Sequence, residues 1–147
     1  MNVEPNAVVR VNRRFNATSQ SVFDAWLDPD MLSRWMFGPA VRDEEIVRLS
    51  LDPRPGGAFS FVVRRDGREI DHVGEYLEIE RPSKLSFTWS TADALPDVSR
   101  VTIEIISFGN GCELTLTHEM HPDWLDYVSR TEAGWARMLD ALATTLA

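Results

Sequence analysis

The feature that most constrains this chain is a change of hydrophobic period. From Ala58 to His118 apolar residues recur at every second position within each segment, and beyond Pro122 they recur at every third or fourth. Period two sends alternate side chains to opposite faces of a strand, whereas a period near 3.6 lines them along one stripe of a helix. A sheet patterned in this way has one apolar face and one wet face, and the apolar face needs a cover. Trp124, Val128, Thr131, Trp135, Met138, Leu142 and Leu146 form the covering stripe, on a helix expected to start at Pro122 with Asp123 and Asp126 in its first turn.

The remaining elements follow from local signals. Val8–Phe15 alternates, with Val9, Val11 and Phe15 on one face. Thr18 or Ser19 offers an N-cap to a short helix carrying Val22, Phe23, Trp26 and Leu27, and Asp28-Pro29 starts a second one carrying Leu32, Trp35 and Met36. Strands are expected over Glu44–Leu51, Ala58–Arg65, Glu69–Glu80 and around Leu85–Ser90, Val101–Ile105 and Leu114–His118. Turns are expected at Pro53–Gly57, Asp66-Gly67, Arg81–Ser83 and Asn110-Gly111. The order predicts an α+β domain over residues 8–147, with residues 1–7 as a tail. In it a curved antiparallel sheet of about seven strands wraps a long C-terminal helix, and two short helices follow the first strand.

Composition removes several classes of function. The formal net charge is −8, only Lys84 and fourteen scattered arginines are basic, and no basic stripe overrides the repulsion of phosphates, so nucleic acid is not an expected partner. The single Cys112 has no partner for an internal disulfide. Met1–Ala7 is polar rather than a signal sequence, and no apolar run reaches the length of a membrane span. A cytoplasmic protein with no membrane partner is expected. His72, His118 and His121 match no zinc spacing, the pair Asp71 and Glu75 flanks a strand toward solvent, and no nucleotide or triad motif occurs, so no metal or cofactor is expected.

Strand parity nominates a cavity. Phe59, Phe61, Phe87, Trp89, Ile103, Leu116 and His118 fall on the inward faces of their strands, and Trp135, Met138 and Leu139 face them from the long helix. Trp35 and Phe37 are expected to close one end, while His72 and Tyr76 share a face with Gly74. Aromatic walls with a few polar tips suit an apolar ligand. His118, inward after two leucines, is either hydrogen-bonded within the protein or an orienting or acid–base group. Arg13 is also inward and calls for an acid of the last strand or an anionic ligand group. Gly134 beside Trp135 suggests a close approach of sheet or ligand.

Several segments resemble the Bet v 1-like/START (SRPBCC) superfamily and, within it, bacterial proteins related to the C-terminal domain of the Hsp90 ATPase activator Aha1. They are Arg14–Ala17, Val22–Trp26, Asp28–Trp35, Pro55–Gly57, Gly74–Ile79, Pro82 with Leu85–Trp89, Leu114–His118, and Gly134-Trp135 before Met138-Leu139. The resemblance implies a helix-grip fold with a cavity between sheet and C-terminal helix. Its members bind hydrophobic small molecules, cyclise polyketides or assist Hsp90. The expected function is binding of a hydrophobic or amphipathic small molecule by a monomer or homodimer. The alternatives are a chaperone-activating protein-binding module and a cyclase or hydrolase using His118 or Tyr76. The separate Hsp90-binding N-terminal domain of the eukaryotic co-chaperone is not expected in this chain.

Overall fold

The computed structural model describes residues 7–147, so most of the expected N-terminal tail lies outside the described residues. Strand β1 (Ala7–Phe15) opens one residue earlier than its alternation suggests, because Ala7 is fully buried opposite Met120. Two short helices follow, α1 (Ser19–Asp24) and α2 (Pro29–Trp35). Thr18 caps the first by accepting the Ser21 amide at 3.1 Å, and Asp28 caps the second by accepting the Asp30 amide at 3.0 Å.

Six strands then meander: β2 (Glu45–Leu51), β3 (Ala58–Arg65), β4 (Arg68–Glu80), β5 (Lys84–Thr91), β6 (Ser99–Phe108) and β7 (Gly111–Met120). All neighbours are antiparallel, in the order β1-β7-β6-β5-β4-β3-β2. The first strand therefore pairs with the last, and α1 and α2 carry the chain from one edge of the sheet to the other. Register shifts between Ile46 and Arg48 and between Tyr76 and Glu78 mark bulges, which increase bend and twist and help curl the sheet. The β3–β4 hairpin turns on Asp66 and Gly67, both at positive φ (53° and 75°), as the two-residue turn requires. The β6–β7 turn lies one residue before its expected place, on Gly109 and Asn110. Gly111 already opens β7, where a Cβ would stand 2.1 Å from the Phe15 carbonyl oxygen.

Helix α3 (Val128–Leu146) lies over the concave apolar face and buries Trp135, Leu139 and Leu142. Full burial of such side chains contributes about 1.5–3 kcal/mol each, which makes this stripe the main fastening of helix to sheet. The helix does not start at Pro122 as its spacing suggests. Pro122–Tyr127 forms tighter 3-10 turns, capped by His121, with Trp124 at the non-helical φ −99°, ψ 15°. Arg13 does face inward, but its partner is Asp140 of α3, at 3.1 Å, rather than an acid of the last strand.

Candidate functional site

Between α3 and the sheet the packing is uneven. Trp35, Ile103, Leu116 and Leu139 have no accessible surface and belong to the solid core. Trp35 also donates its indole N–H to the Ala25 carbonyl at 3.0 Å and sits edge-on to Trp26, with ring centres 4.6 Å apart. Phe59, Phe61, Tyr76 and Phe87 form an aromatic cluster, with Phe59 stacked on Phe61 at 4.7 Å and edge-on to Phe87 at 5.7 Å. The gap left among them is about 10 Å³, near the space of one water molecule. Burial, and then the Asp52 charge, push the Tyr76 hydroxyl well above the usual phenol range. Of the fourteen residues nominated by parity, these eight fill space.

The other six border two hollows. The first, of about 370 Å³, lies between the ends of β5, β6 and β7 and the N-terminal half of α3. Trp89, His118, Trp135 and Met138 form its walls, and Asp97, Val98, Asp123 and Trp124, all exposed, stand at its mouth. The second, also about 370 Å³, lies between the loop after α2, the end of β3 and the other side of α3, and is bordered by Phe37, His72, Trp89 and Met138. Trp89, Gly134 and Met138 border both, so the two hollows adjoin along the Trp89 ring and the flexible Met138 side chain. A Cβ on Gly134 would meet nothing within 4 Å. The glycine therefore marks a gap: among the described residues, no part of the sheet and no side chain beyond its own chain neighbours comes within 4 Å of that position.

His118 sits at the inner end of the first hollow, 4% exposed. The Trp135 indole N–H donates to its Nδ1 at 3.0 Å, and its Nε2 lies 2.7 Å from the Ser99 hydroxyl. An indole nitrogen can only donate, so Nδ1 accepts and Nε2 carries the proton. Ser99 passes the chain on by donating to the Trp89 carbonyl at 3.0 Å. Burial lowers the imidazole pKa to about 4, which keeps the ring neutral and its tautomer fixed. Both nitrogens are engaged, so the ring is a rigid strut between helix and sheet.

His72 occupies the second hollow, 4.9 Å from the Phe37 ring and 5.5 Å from Trp89, with Nδ1 3.0 Å from the Phe61 carbonyl oxygen, to which a protonated Nδ1 donates. Burial first, and then the nearby Arg65, hold its pKa below the ordinary value. His121 is exposed and accepts the Asp123 amide at 3.1 Å. Among the described residues no three His, Cys, Asp or Glu side chains gather as a metal site. Cys112 is buried, and its burial raises the thiol pKa.

The second hollow contains a group that parity missed. Arg42, Arg65, Arg130 and Arg137 all border it. Behind the first two stands Glu44, whose side chain is wholly buried. It accepts the Gly38 amide at 2.8 Å, Arg42 at 3.1 Å and Arg65 at 2.6 Å. Burial acts to raise the Glu44 pKa, but the Gly38 amide and the two guanidiniums outweigh it and hold the carboxyl below the usual range. The only sequence signal for this group is on α3, where Arg130 and Arg137 flank Gly134 on one helix face.

A helix gripped by a curved seven-stranded sheet, with space left between them, places the chain among known proteins. The model of the family described as "Activator of Hsp90 ATPase homolog 1-like protein" matches residues 16–147. The chain belongs to this family. That membership agrees with the SRPBCC resemblance. The fold recurs in a protein of Chromobacterium violaceum, 26% identical, with TM-score 0.82 and 95% of this chain and 96% of that one covered. A Staphylococcus aureus protein of unknown function superposes over 99% of this chain and 96% of its own, with TM-score 0.83 and 16% identity. CalU16 from Micromonospora echinospora, 22% identical, reaches TM-score 0.69 over 99% of this chain and 87% of its own. No curated protein matches the chain. No helix among the described residues is long and apolar enough to cross a membrane.

Proposed function

We propose that this member of the activator of Hsp90 ATPase homolog 1-like family binds a hydrophobic or amphipathic small molecule between the sheet and α3, in the cytoplasm. One observation carries the reading. At Gly134 the helix turns a bare backbone toward a hollow of about 370 Å³ walled by Trp89, Trp135 and Met138. Volumes of roughly 300–1,000 Å³ with apolar walls and a few fixed polar groups are typical of small-molecule sites. Glycine in a helix interior forfeits up to about 1 kcal/mol relative to alanine, and at Gly134 it leaves the facing space unfilled. The His118 strut supports binding over catalysis, since neither ring nitrogen is free to accept or deliver a proton.

The test is a thermal-shift screen with fatty acids, flavonoids and polyketides on the native chain and on Gly134→Phe, whose ring would occupy the hollow. Binding should raise the native melting temperature with the logarithm of ligand excess and leave the plugged variant unmoved. Equal shifts in both proteins would remove the cavity from the function. Stimulation of an Hsp90 ATPase by the plugged variant would assign the function to the outer surface instead.

A further inference from the structure

The second hollow departs from the charge of the rest of the molecule. The chain carries a net −8, yet among the described residues four arginines and no carboxylate border this one space. They come from the loop after α2 (Arg42), the end of β3 (Arg65) and two turns of α3 (Arg130 and Arg137), so no local sequence run accounts for the cluster. Glu44 ties Arg42 and Arg65 from behind, and Arg42 also donates to the Met36 carbonyl at 2.8 Å. One carboxylate neutralises one of those two charges, and the guanidiniums keep 29% and 37% of their side-chain surface accessible. Arg130 and Arg137 have no carboxylate within ion-pair distance among the described residues. The three positive charges left uncompensated around one hollow repel one another, and a bound anion would relieve that repulsion. The planar fork of a guanidinium matches carboxylate and phosphate oxygens, and Glu44 already holds two forks in place.

We propose that the ligand is an amphipathic anion. Its carboxylate or phosphate head lies among Arg42, Arg65, Arg130 and Arg137, and its apolar body passes Gly134 to lie against Trp89 and Trp135. This inference rests on the cavity reading above and adds the class of ligand to it. The two hollows supply the two halves of such a molecule. Gly134 and Met138 border both, so one ligand spans them once the unbranched Met138 side chain swings aside.

The experiment is calorimetric titration at pH 7.5 with decanoate, acetate, decan-1-ol and decyltrimethylammonium, each below its micellar concentration. The native chain is compared with the double variant Arg130→Glu, Arg137→Glu. Both arginines are exposed, so decanol binding also reports that the variant is folded. Decanoate is expected to bind the native chain roughly tenfold or more tighter than decanol, the worth of one charge-assisted hydrogen bond. The double variant should lose that advantage while keeping its decanol affinity. Decanoate and decanol binding equally, or decanoate unaffected by charge reversal, would overturn the anionic head and leave the cavity reading standing. Acetate binding as tightly as decanoate would overturn the tail. No binding of any ten-carbon probe would overturn the cavity reading itself.

Discussion

The Trp135 indole donates to His118 Nδ1 at 3.0 Å, and this bond fixes which proton the imidazole carries. Because Trp135 sits on α3 and His118 on β7, the contact joins helix to sheet beside the first hollow. Ser99 on β6 and the Trp89 carbonyl on β5 continue the chain across two more strands. A polar line of this kind inside an apolar face holds its members in one arrangement, because any rearrangement would leave a buried donor or acceptor unpaired.

The first prediction concerns pH. The folded His118 pKa is about 4, while an unfolded histidine titrates near 6.5. The neutral ring therefore contributes stability that is fully present above pH 6.5. It is lost progressively as the pH falls toward 4, because the unfolded chain takes up a proton that the folded one refuses. The loss over that window is roughly 3 kcal/mol. His72, also depressed, adds in the same direction. Unfolding free energies from urea at pH 7.5 and pH 5 should differ by the part of that loss already reached at pH 5, about 2 kcal/mol, and His118→Gln should flatten the slope. Proton-detected nitrogen spectra should show the Nε2–H tautomer at both pH values.

A second prediction isolates the indole proton. Trp135→Phe keeps an aromatic ring on the helix but leaves Nδ1 of His118 facing the ring without a donor. An unmade bond at a buried acceptor costs about 1–3 kcal/mol, so the variant should unfold at lower denaturant. His118 should then titrate closer to its ordinary value, since its protonated form no longer opposes an N–H. Chemical-shift titration of the imidazole carbons reads this directly, and an unchanged pKa would show burial acting alone.

Glu44 supports a third. Glu44→Ala strips the Gly38 amide of its acceptor and both guanidiniums of their counter-charge. Both arginines reach water, so the cost is set mostly by the amide and should be about 1–3 kcal/mol rather than that of a fully buried pair. Glu44→Gln keeps an acceptor for Gly38 and should lose less. The depressed carboxyl pKa means this contribution is present above the ordinary carboxylate range and lost as the pH falls through the folded value. The stability difference between the native chain and Glu44→Gln should therefore narrow as the pH falls through the folded value, while Glu44→Ala keeps the cost of the unpaired Gly38 amide at every pH, which denaturation of both variants across the acid range would show.

The strands were legible because each carries its own period-two pattern between turn residues, so Phe59, Phe61 and Val63 declare their face without reference to other elements. The start of α3 was not, because 3-10 and α turns both return a side chain to the same side after three or four residues. Trp124, placed on the stripe by spacing, is instead 44% exposed at the mouth of the first hollow. Parity also cannot separate a residue that fills the core from one that borders space. Leu116 and His118 share a face of β7, yet only the second touches a hollow, because that depends on how far the helix stands from the sheet at each level. The arginine group was least legible. Arg42, Arg65 and Arg137 each read as an ordinary surface residue until the topology brings three distant segments together.

The last prediction sets two glycines against each other. A Cβ on Gly74 would stand 2.0 Å from the Thr88 carbonyl oxygen and 2.4 Å from the Phe59 ring, neither of which can retreat without disturbing the β4–β5 ladder or the aromatic cluster. Gly74→Ala should cost about 3 kcal/mol or more. At Gly134 the same methyl group meets nothing within 4 Å and sits in a helix interior, where alanine is favoured by about 1 kcal/mol. Gly134→Ala should therefore raise the melting temperature by roughly 2–4 °C. A loss of stability in Gly134→Ala would mean that the space beside α3 is already occupied in solution. Differential scanning calorimetry of the two variants against the native chain would thus measure, without any ligand, whether the gap between helix and sheet is real.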